Sequence, residues 1–146
     1  MAKRSVNFAT DVSAGSETIL LVDDSGPLRK LMHSSLTQKG YSVLEAADGV
    51  EALQISKNCD GPIDLLITDI VMPRMGGTEL AEKIMQDRPD TAVVFTTGYA
   101  DDMYDIPLRG SERITTIQKP FRIDMLLRTV RAVLSEEMLL KKKSDR

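Results

Sequence analysis

Short apolar runs and longer amphipathic stretches alternate along this 146-residue chain from Thr18 onward. The short runs are rich in Val, Ile and Leu and are bounded by Gly, Pro or Asp, which is typical of strands buried on both faces of a sheet. We therefore predict five strands, at residues 19–22, 41–44, 63–67, 92–95 and 114–117.

The amphipathic stretches carry apolar residues three and four positions apart, which predicts helices with one buried face. Ser25 is the predicted N-cap of the first helix. A shorter helix is predicted at 48–57, with Ala52, Leu53 and Ser56 facing inward, and 100–108 is a further candidate. The apolar stripes are, in chain order, Leu28, Leu31, Met32 and Leu36; Gly77, Leu80, Ala81 and Ile84; and Leu126, Leu127, Val130, Val133 and Leu134.

The alternation of strand and helix predicts the overall organisation of the chain. Five successive β–α units indicate an α/β fold, with a parallel sheet, helices on both faces and right-handed crossovers. One domain is expected at 17–138, because its length suits a single core. The small polar residues 1–16 are predicted to form a flexible lead-in, and residues 139–146 a short basic tail.

Composition and charge exclude several classes of function. The chain is 42% hydrophobic and 28% charged, with a net charge of -3, which does not favour a nucleic-acid or membrane-surface binder. A single cysteine, Cys59, rules out an internal disulfide and suits a reducing compartment. The sequence shows neither a signal-peptide core nor the run of ~20 apolar residues of a membrane helix. These features predict a cytoplasmic protein without nucleic-acid or membrane partners.

Polar residues follow the predicted strands on one edge of the sheet. Asp23 and Asp24 follow the first strand, Asp69 the third, Thr97 the fourth and Lys119 the fifth. In a parallel sheet these strand ends share an edge, where open α/β sheets bind their ligands. Three carboxylates, one hydroxyl and one ammonium are therefore expected around one crevice.

A crevice with three carboxylates needs more positive charge than one lysine supplies. A hard divalent cation with oxygen ligands would supply it, and Mg²⁺ suits a site with few carboxylates and several waters. Metal and lysine together would favour a phosphoryl group, and an Asp carboxylate can act as the nucleophile that receives it.

Each of these residues also has a purely structural interpretation. The pair Asp23 and Asp24, before Ser25, could cap a helix. Asp69 could belong to an ordinary turn, and Thr97 could simply end a strand. Because all of them lie at the ends of strands in one sheet, we favour the functional interpretation.

The same residues carry a resemblance to a known family. The motifs are Asp23-Asp24, Asp69 with Met72-Pro73, Thr97-Gly98 and Lys119-Pro120-Phe121. With these motifs the chain resembles a response-regulator receiver domain from about residue 17 to about residue 138. The local sequences at 17–24, 95–99 and 118–121 are similar to those of receivers attached to hybrid sensor kinases. The resemblance implies a flavodoxin-like fold with strand order 2-1-3-4-5.

The resemblance also implies a role for each site residue. Asp69 would be the phosphoacceptor, and Mg²⁺ would be held by Asp23, Asp24, Asp69 and the backbone carbonyl of Val71. Lys119, followed by a cis-proline bond, would pair with Asp69 before phosphoryl transfer and with the phosphoryl oxygens afterwards. The hydroxyl of Thr97 would turn toward the phosphoryl group.

The implied function is a signalling switch that is not an enzyme, apart from self-phosphorylation and slow self-dephosphorylation. The implied partner is a histidine kinase or a histidine phosphotransfer protein, and the chain would be a monomer or a weak dimer. One departure is Thr116, where the family often has Tyr or Phe. We therefore expect the switch to be centred on residues 98–105, with Tyr99 and Tyr104 providing any aromatic motion.

Two rival functions remain open. A Mg²⁺-dependent phosphatase with an aspartyl-phosphate intermediate would have an acid two residues after its nucleophile. The residues at that spacing are Val71 after Asp69 and Ser25 after Asp23, so that acid is missing. A nucleotide- or flavin-binding module is the second rival, but neither GxGxxG nor GxxxxGK[ST] occurs in the sequence.

Overall fold

The computed structural model describes residues 17–98 and 114–144, with side chains through residue 135. In these ranges five strands form one parallel sheet in the order β2-β1-β3-β4-β5. The α/β class and the flavodoxin-like strand order are confirmed. The strands are β1 (Thr18–Val22), β2 (Ser42–Ala46), β3 (Leu65–Asp69), β4 (Ala92–Thr97) and β5 (Ile114–Gln118).

Four helices are described alongside the sheet. The Ser25 side chain caps the first helix by accepting a hydrogen bond from Leu28 N at 3.4 Å, as predicted. Asp48 caps the second helix through Glu51 N at 2.9 Å. The helices are α1 (Gly26–Gln38), α2 (Gly49–Asn58), α3 (Gly77–Asp87) and α4 (Ile123–Ser144).

Several predictions fall outside the described ranges. These are the lead-in at 1–16, the candidate helix at 100–108, and the aromatic residues Tyr99 and Tyr104. The predicted domain boundary at residue 138 falls inside α4, whose backbone is helical through Ser144. None of the described helices combines the length and the apolar character needed to cross a membrane.

Two apolar clusters form the core, one on each face of the sheet. Helices α1 and α4 cover one face, and α2 and α3 cover the other. β1, β3 and β4 contribute to both clusters, as predicted for strands buried on both faces. The first cluster includes Ile19, Leu21, Met32, Leu36, Ile67, Val94, Leu126 and Val130; the second includes Leu20, Val22, Ala52, Leu66, Leu80, Ile84 and Phe95.

The predicted helical stripes are narrower in the structure than in the sequence. In α1, Met32 and Leu36 are fully buried, but Leu31 is 51% exposed, so its predicted inward orientation is wrong. Successive residues lie about 100° apart around a helix, so Leu31 and Met32 cannot both face the sheet squarely. In α4, likewise, Leu127 and Val133 are only half-buried beside a fully buried row.

Candidate functional site

The predicted site residues lie at the carboxyl edge of the sheet. Asp23 directly follows β1, Asp69 ends β3, Thr97 ends β4, and Lys119 directly follows β5. Backbone pairing continues past the strand ends, because Asp23 N–H donates to the Ala46 carbonyl at 3.2 Å and Lys119 N–H donates to the Thr97 carbonyl at 2.7 Å. These two bonds determine where the backbones of Asp23 and Lys119 leave the sheet.

Three carboxylates meet at this edge. Asp23, Asp24 and Asp69 each contribute one oxygen to a group whose members all lie within 4.8 Å of one another. Asp23 and Asp69 are 1% and 8% exposed, whereas Asp24 is exposed. Among residues 17–98 and 114–135, no hydrogen bond or ion pair to the Asp24 carboxylate is found. At ~4 Å and an effective dielectric near 20, two such charges repel by about 4 kcal/mol, so the cluster calls for a cation.

Lys119 is the ammonium group that faces these acids. Its Nζ donates to Asp69 Oδ2 at 2.8 Å and to Asp23 Oδ2 at 3.0 Å. Burial disfavours the charged form, but the hydrogen bonds and charges of Asp69 and Asp23 outweigh burial, so the pKa of Lys119 lies above its ordinary value. Lys119 is therefore charged at neutral pH, yet two of the three negative charges remain unbalanced. Its peptide bond to Pro120 is cis, as the resemblance implied.

The second oxygen of each buried acid accepts a hydrogen bond from the backbone. Asp23 Oδ1 accepts from Ser25 N–H at 2.8 Å, and Asp69 Oδ1 accepts from Val71 N–H at 3.2 Å. Both carboxylates are therefore oriented from two sides, with Lys119 on the other oxygen. The Val71 side chain is 51% exposed beside Asp69.

Thr97 and Val71 reach the site through their backbones. Thr97 is fully buried, and its carbonyl is tied to Lys119. Val71 lies two residues beyond Asp69 and touches it through its N–H group. The phosphoryl contact of the Thr97 hydroxyl and the metal contact of the Val71 carbonyl stay predictions.

The loop between β3 and α3 packs tightly beneath Asp69. A Cβ on Gly77 would lie 2.1 Å from the Asp69 carbonyl oxygen, so only glycine allows α3 to begin this close to the Asp69 backbone. The Gly77 N–H donates to the Ile70 carbonyl at 2.8 Å. Arg74 takes a left-handed φ of 70° and forms an ion pair with Asp48, the N-cap of α2. The loop is thereby attached both to β3 and to α2.

One residue that contacts this site, Arg29, and its partner Glu45 are not predicted by the sequence pattern. Arg29 of α1 donates from Nη1 to the Asp23 carbonyl at 2.6 Å, and its Nε lies 3.0 Å from Glu45 Oε1 of β2. Because Arg29 follows the N-cap Ser25 by four residues, the sequence placed it in the first turn of a helix that begins at this edge. Periodicity alone could not show whether its side chain turned toward the acids or toward solvent.

An open groove borders the acidic cluster on its Lys119 side. Its volume is about 460 Å³, and its walls are largely apolar. The lining residues are Leu28, Gly98, Lys119, Pro120 and Phe121. A molecule approaching Lys119 from this side would meet an apolar wall next to a charged group.

The donor set fits a hard divalent cation. Carboxylate oxygens are ligands that Mg²⁺ prefers. Of the three carboxylates in this cluster, Asp24 is the exposed one, and it is the one without a partner among the side chains described. Lys119 places an ammonium group directly beside the Asp69 carboxylate at this edge.

Comparison with known proteins identifies related chains. The profile of the response regulator receiver domain matches residues 19–131. The sensor kinase CckA of Brucella abortus is 37% identical over 135 residues, which is 92% of this chain but only 14% of that kinase. The response regulator receiver protein CpdR of the same organism is 31% identical over 116 residues, covering 80% of this chain and 95% of CpdR.

Solved structures agree with these sequence matches. The receiver domain from the hybrid histidine kinase CckA superposes with a TM-score of 0.69 at 36% identity, covering 80% of this chain and 98% of that one. A CheY-like response regulator receiver domain protein from Methanospirillum hungatei JF-1 gives 0.75 at 32% identity, with 84% and 96% covered. Both similarities span most of the described fold.

Proposed function

The chain belongs to the response regulator receiver domain family of two-component signalling, and on that premise we propose that Asp69 is its phosphoacceptor. In this proposal a histidine kinase or a histidine phosphotransfer protein donates the phosphoryl group from a phosphohistidine. The phosphorylated chain then acts as a switch or as a relay to a further carrier.

The observation that carries the proposal is the bridge made by Lys119. Its ammonium contacts Asp69 Oδ2 and Asp23 Oδ2 at once, at 2.8 and 3.0 Å. A lysine with a purely structural role would be paired with as much negative charge as it carries positive charge. Here one lysine faces three carboxylates, so two negative charges remain uncompensated at a partly open edge. Such an excess of negative charge favours a site that is completed by ligands.

We further propose that Mg²⁺ is the cation of this site. Asp24 would bind it directly, Asp23 mostly through water, and Asp69 and the Val71 carbonyl would complete the protein ligands. When bound, Mg²⁺ supplies positive charge that offsets the acids and draws phosphoryl oxygens toward Asp69. The grouping of the three carboxylates within 4.8 Å supports this assignment.

The transfer step follows from the hydrogen bonds of Asp69. Its carboxylate is oriented by Val71 N–H and by Lys119, so that one oxygen can attack phosphorus in line with the leaving nitrogen. The new P–O bond forms as the P–N bond of the donor breaks, and that bonding pair returns to the imidazole nitrogen. After transfer, Lys119 donates its hydrogen bonds to the phosphoryl oxygens instead of to the carboxylates. The Thr97 hydroxyl turns toward the same phosphoryl oxygens.

The test is intact-mass spectrometry after incubation with acetyl phosphate, with Mg²⁺ or with excess chelator. We expect one added phosphoryl group in the presence of Mg²⁺, and none with chelator or in Asp69→Asn. Far-UV circular dichroism of Asp69→Asn serves as the fold control. Retention of the added mass in that variant would refute Asp69 as the phosphoacceptor.

The same samples test the phosphatase alternative. A switch transfers one phosphoryl group per chain and loses it slowly, whereas a phosphatase turns over a phosphate monoester continuously. We therefore expect no sustained release of nitrophenol from p-nitrophenyl phosphate. Continuous release that disappears in Asp69→Asn would favour the enzyme over the switch.

A further inference from the structure

Arg29 joins the acidic cluster to the neighbouring strand. Its Nη1 donates to the Asp23 carbonyl oxygen at 2.6 Å, and its Nε lies 3.0 Å from Glu45 Oε1. The Arg29 side chain is 19% exposed, so water competes little for these contacts. A planar guanidinium suits such a bridge, because it presents several donors in a fixed geometry.

The other side of Glu45 is held by α1 as well. His33 Nδ1 lies 2.5 Å from Glu45 Oε2 without a hydrogen bond between them, and this contact is an ion pair only when the imidazole is protonated. Glu45 is adjacent to Ala46, whose carbonyl accepts the N–H of Asp23. The N–H and the C=O of Asp23 are thus both tied to the end of β2, the first directly and the second through Arg29.

This arrangement matters because the next residue is Asp24. The Asp23 carbonyl belongs to the peptide that joins Asp23 to Asp24, so the orientation of that peptide sets the direction of the Asp24 Cα–Cβ bond. The Asp24 carboxylate has no partner among residues 17–98 and 114–135 that could orient it instead. Its placement beside the buried acids therefore follows from the backbone and from the side-chain rotamers that this backbone allows.

We propose that Arg29 is a positioning residue for the cation site. By holding the Asp23 carbonyl against Glu45, it fixes the peptide that aims the Asp24 carboxylate at Asp23 and Asp69. This inference rests on the proposed binding of Mg²⁺ at the carboxyl edge. Groups that orient metal ligands from outside typically change metal affinity by about 10- to 100-fold when removed.

The charge of Arg29 and its contact with the backbone predict opposite changes in Mg²⁺ affinity when Arg29 is replaced. A guanidinium close to a dication repels it, so removing that charge should by itself tighten Mg²⁺ binding. If Arg29 instead acts by holding the backbone, removing it weakens binding although the site becomes more negative. The sign of the change therefore separates the two effects.

The experiment is Mg²⁺ titration followed by amide chemical shifts, on the full chain and three variants. We expect Arg29→Gln to raise the Kd about tenfold, in the range for groups outside the first ligands. Arg29→Lys keeps the charge but cannot bridge both oxygens, so its Kd should rise as well. Lys30→Gln is the matched control, because it removes the same charge from an exposed neighbour on the same helix. Its Kd should stay equal or fall.

A second readout does not depend on the metal. In Mg²⁺-free buffer, the carbonyl carbon of Asp23 and the amide of Asp24 should shift in both Arg29 variants and stay unmoved in Lys30→Gln. An equal or lower Kd in Arg29→Gln, with the parent still binding Mg²⁺, would overturn the positioning role and leave the proposed function intact. A parent that shows no Mg²⁺ titration would overturn both.

Discussion

The two edges of the sheet differ in how their polar groups are paired. At the amino edge, Arg88 at the end of α3 donates to Ser56 Oγ and to the carbonyls of Ser56, Cys59 and Gly61, at 2.8 to 3.1 Å. At the carboxyl edge, Lys119 shares itself between Asp23 and Asp69 while Asp24 stands beside them without a partner in the described ranges.

Other polar groups at the amino edge are also paired within the protein. Asp64 accepts from the Thr18 N–H at 2.8 Å, and the Thr91 hydroxyl donates to the Ile63 carbonyl at 2.6 Å. These contacts join the turns before β3 and β4 to the sheet with matched donors and acceptors. These contacts of the amino edge are satisfied within the protein, without a ligand, and they stabilise the fold.

The difference indicates that the carboxyl edge lowers the stability of the fold in order to form a binding site. Matched hydrogen bonds contribute roughly 1 kcal/mol each, more when one partner is charged, whereas crowded like charges oppose folding. An edge that keeps three acids together loses stability unless a ligand compensates, and binding sites commonly have this property. Substitutions at the two edges should therefore differ in size and in their response to Mg²⁺.

The largest effect is expected at the amino edge. Arg88→Ala leaves its acceptors without a donor and should lower the free energy of unfolding by about 2–3 kcal/mol, or the Tm by roughly 4–10 °C. Thermal melting with and without Mg²⁺ should show the same loss. The matched control is Arg122→Ala, which removes an exposed ion pair with Asp124 and should leave the Tm almost unchanged. An Arg88→Ala Tm within about 1 °C of the parent's would contradict the structural role of this edge.

A smaller, pH-dependent effect is expected for Lys119. In Mg²⁺-free buffer, Lys119→Gln leaves two buried carboxylates unpaired and should cost about 1–2 kcal/mol at pH 7, less than for a fully buried pair. Because the pKa of Lys119 is raised in the folded state, its stabilisation is complete below the pKa of an unfolded lysine, about 10.5, and is lost as the pH rises through the folded value.

Urea unfolding of parent and Lys119→Gln from pH 7 to pH 11.5 measures this difference. Tyr41, whose pKa is raised by burial, is present in both proteins, so its ionisation cancels in the difference. The gap in unfolding free energy should be constant up to about pH 10 and then narrow. A gap that widens above pH 10 would show that Lys119 does not pair with the acids as described.

The sequence was sufficient for the parts of the molecule that local patterns determine. Continuous apolar runs predict buried strands. In a parallel sheet the carboxyl ends of these strands lie at one edge, whatever the packing of the helices. The sequence alone therefore predicts that Asp23, Asp69, Thr97 and Lys119 lie together. Asp24 joined them because it follows Asp23 directly.

The parts that were missed depend on contacts between distant segments. Arg29 contacts Glu45, 16 positions away in the sequence, and Arg88 contacts Ser56, 32 positions away. The sequence contains several other arginines, and nothing in it shows which of them make such contacts. Leu31 is apolar and has the spacing of a core residue, but the width of the contact between α1 and the sheet decides which side chains are covered. Periodicity carries no information on either point.

The most direct test of the unbalanced edge is the response of the melting temperature to Mg²⁺ in the parent, in Asp24→Ala and in the control Asp60→Ala, an exposed acid at the amino edge. Without metal, Asp24→Ala should melt at or above the parent, because one of three crowded charges is gone. At about 100 times the Kd, Mg²⁺ should stabilise the parent and Asp60→Ala by about 2.7 kcal/mol and leave Asp24→Ala unmoved. An Asp24→Ala protein that gains as much melting temperature from Mg²⁺ as the parent does would contradict the account.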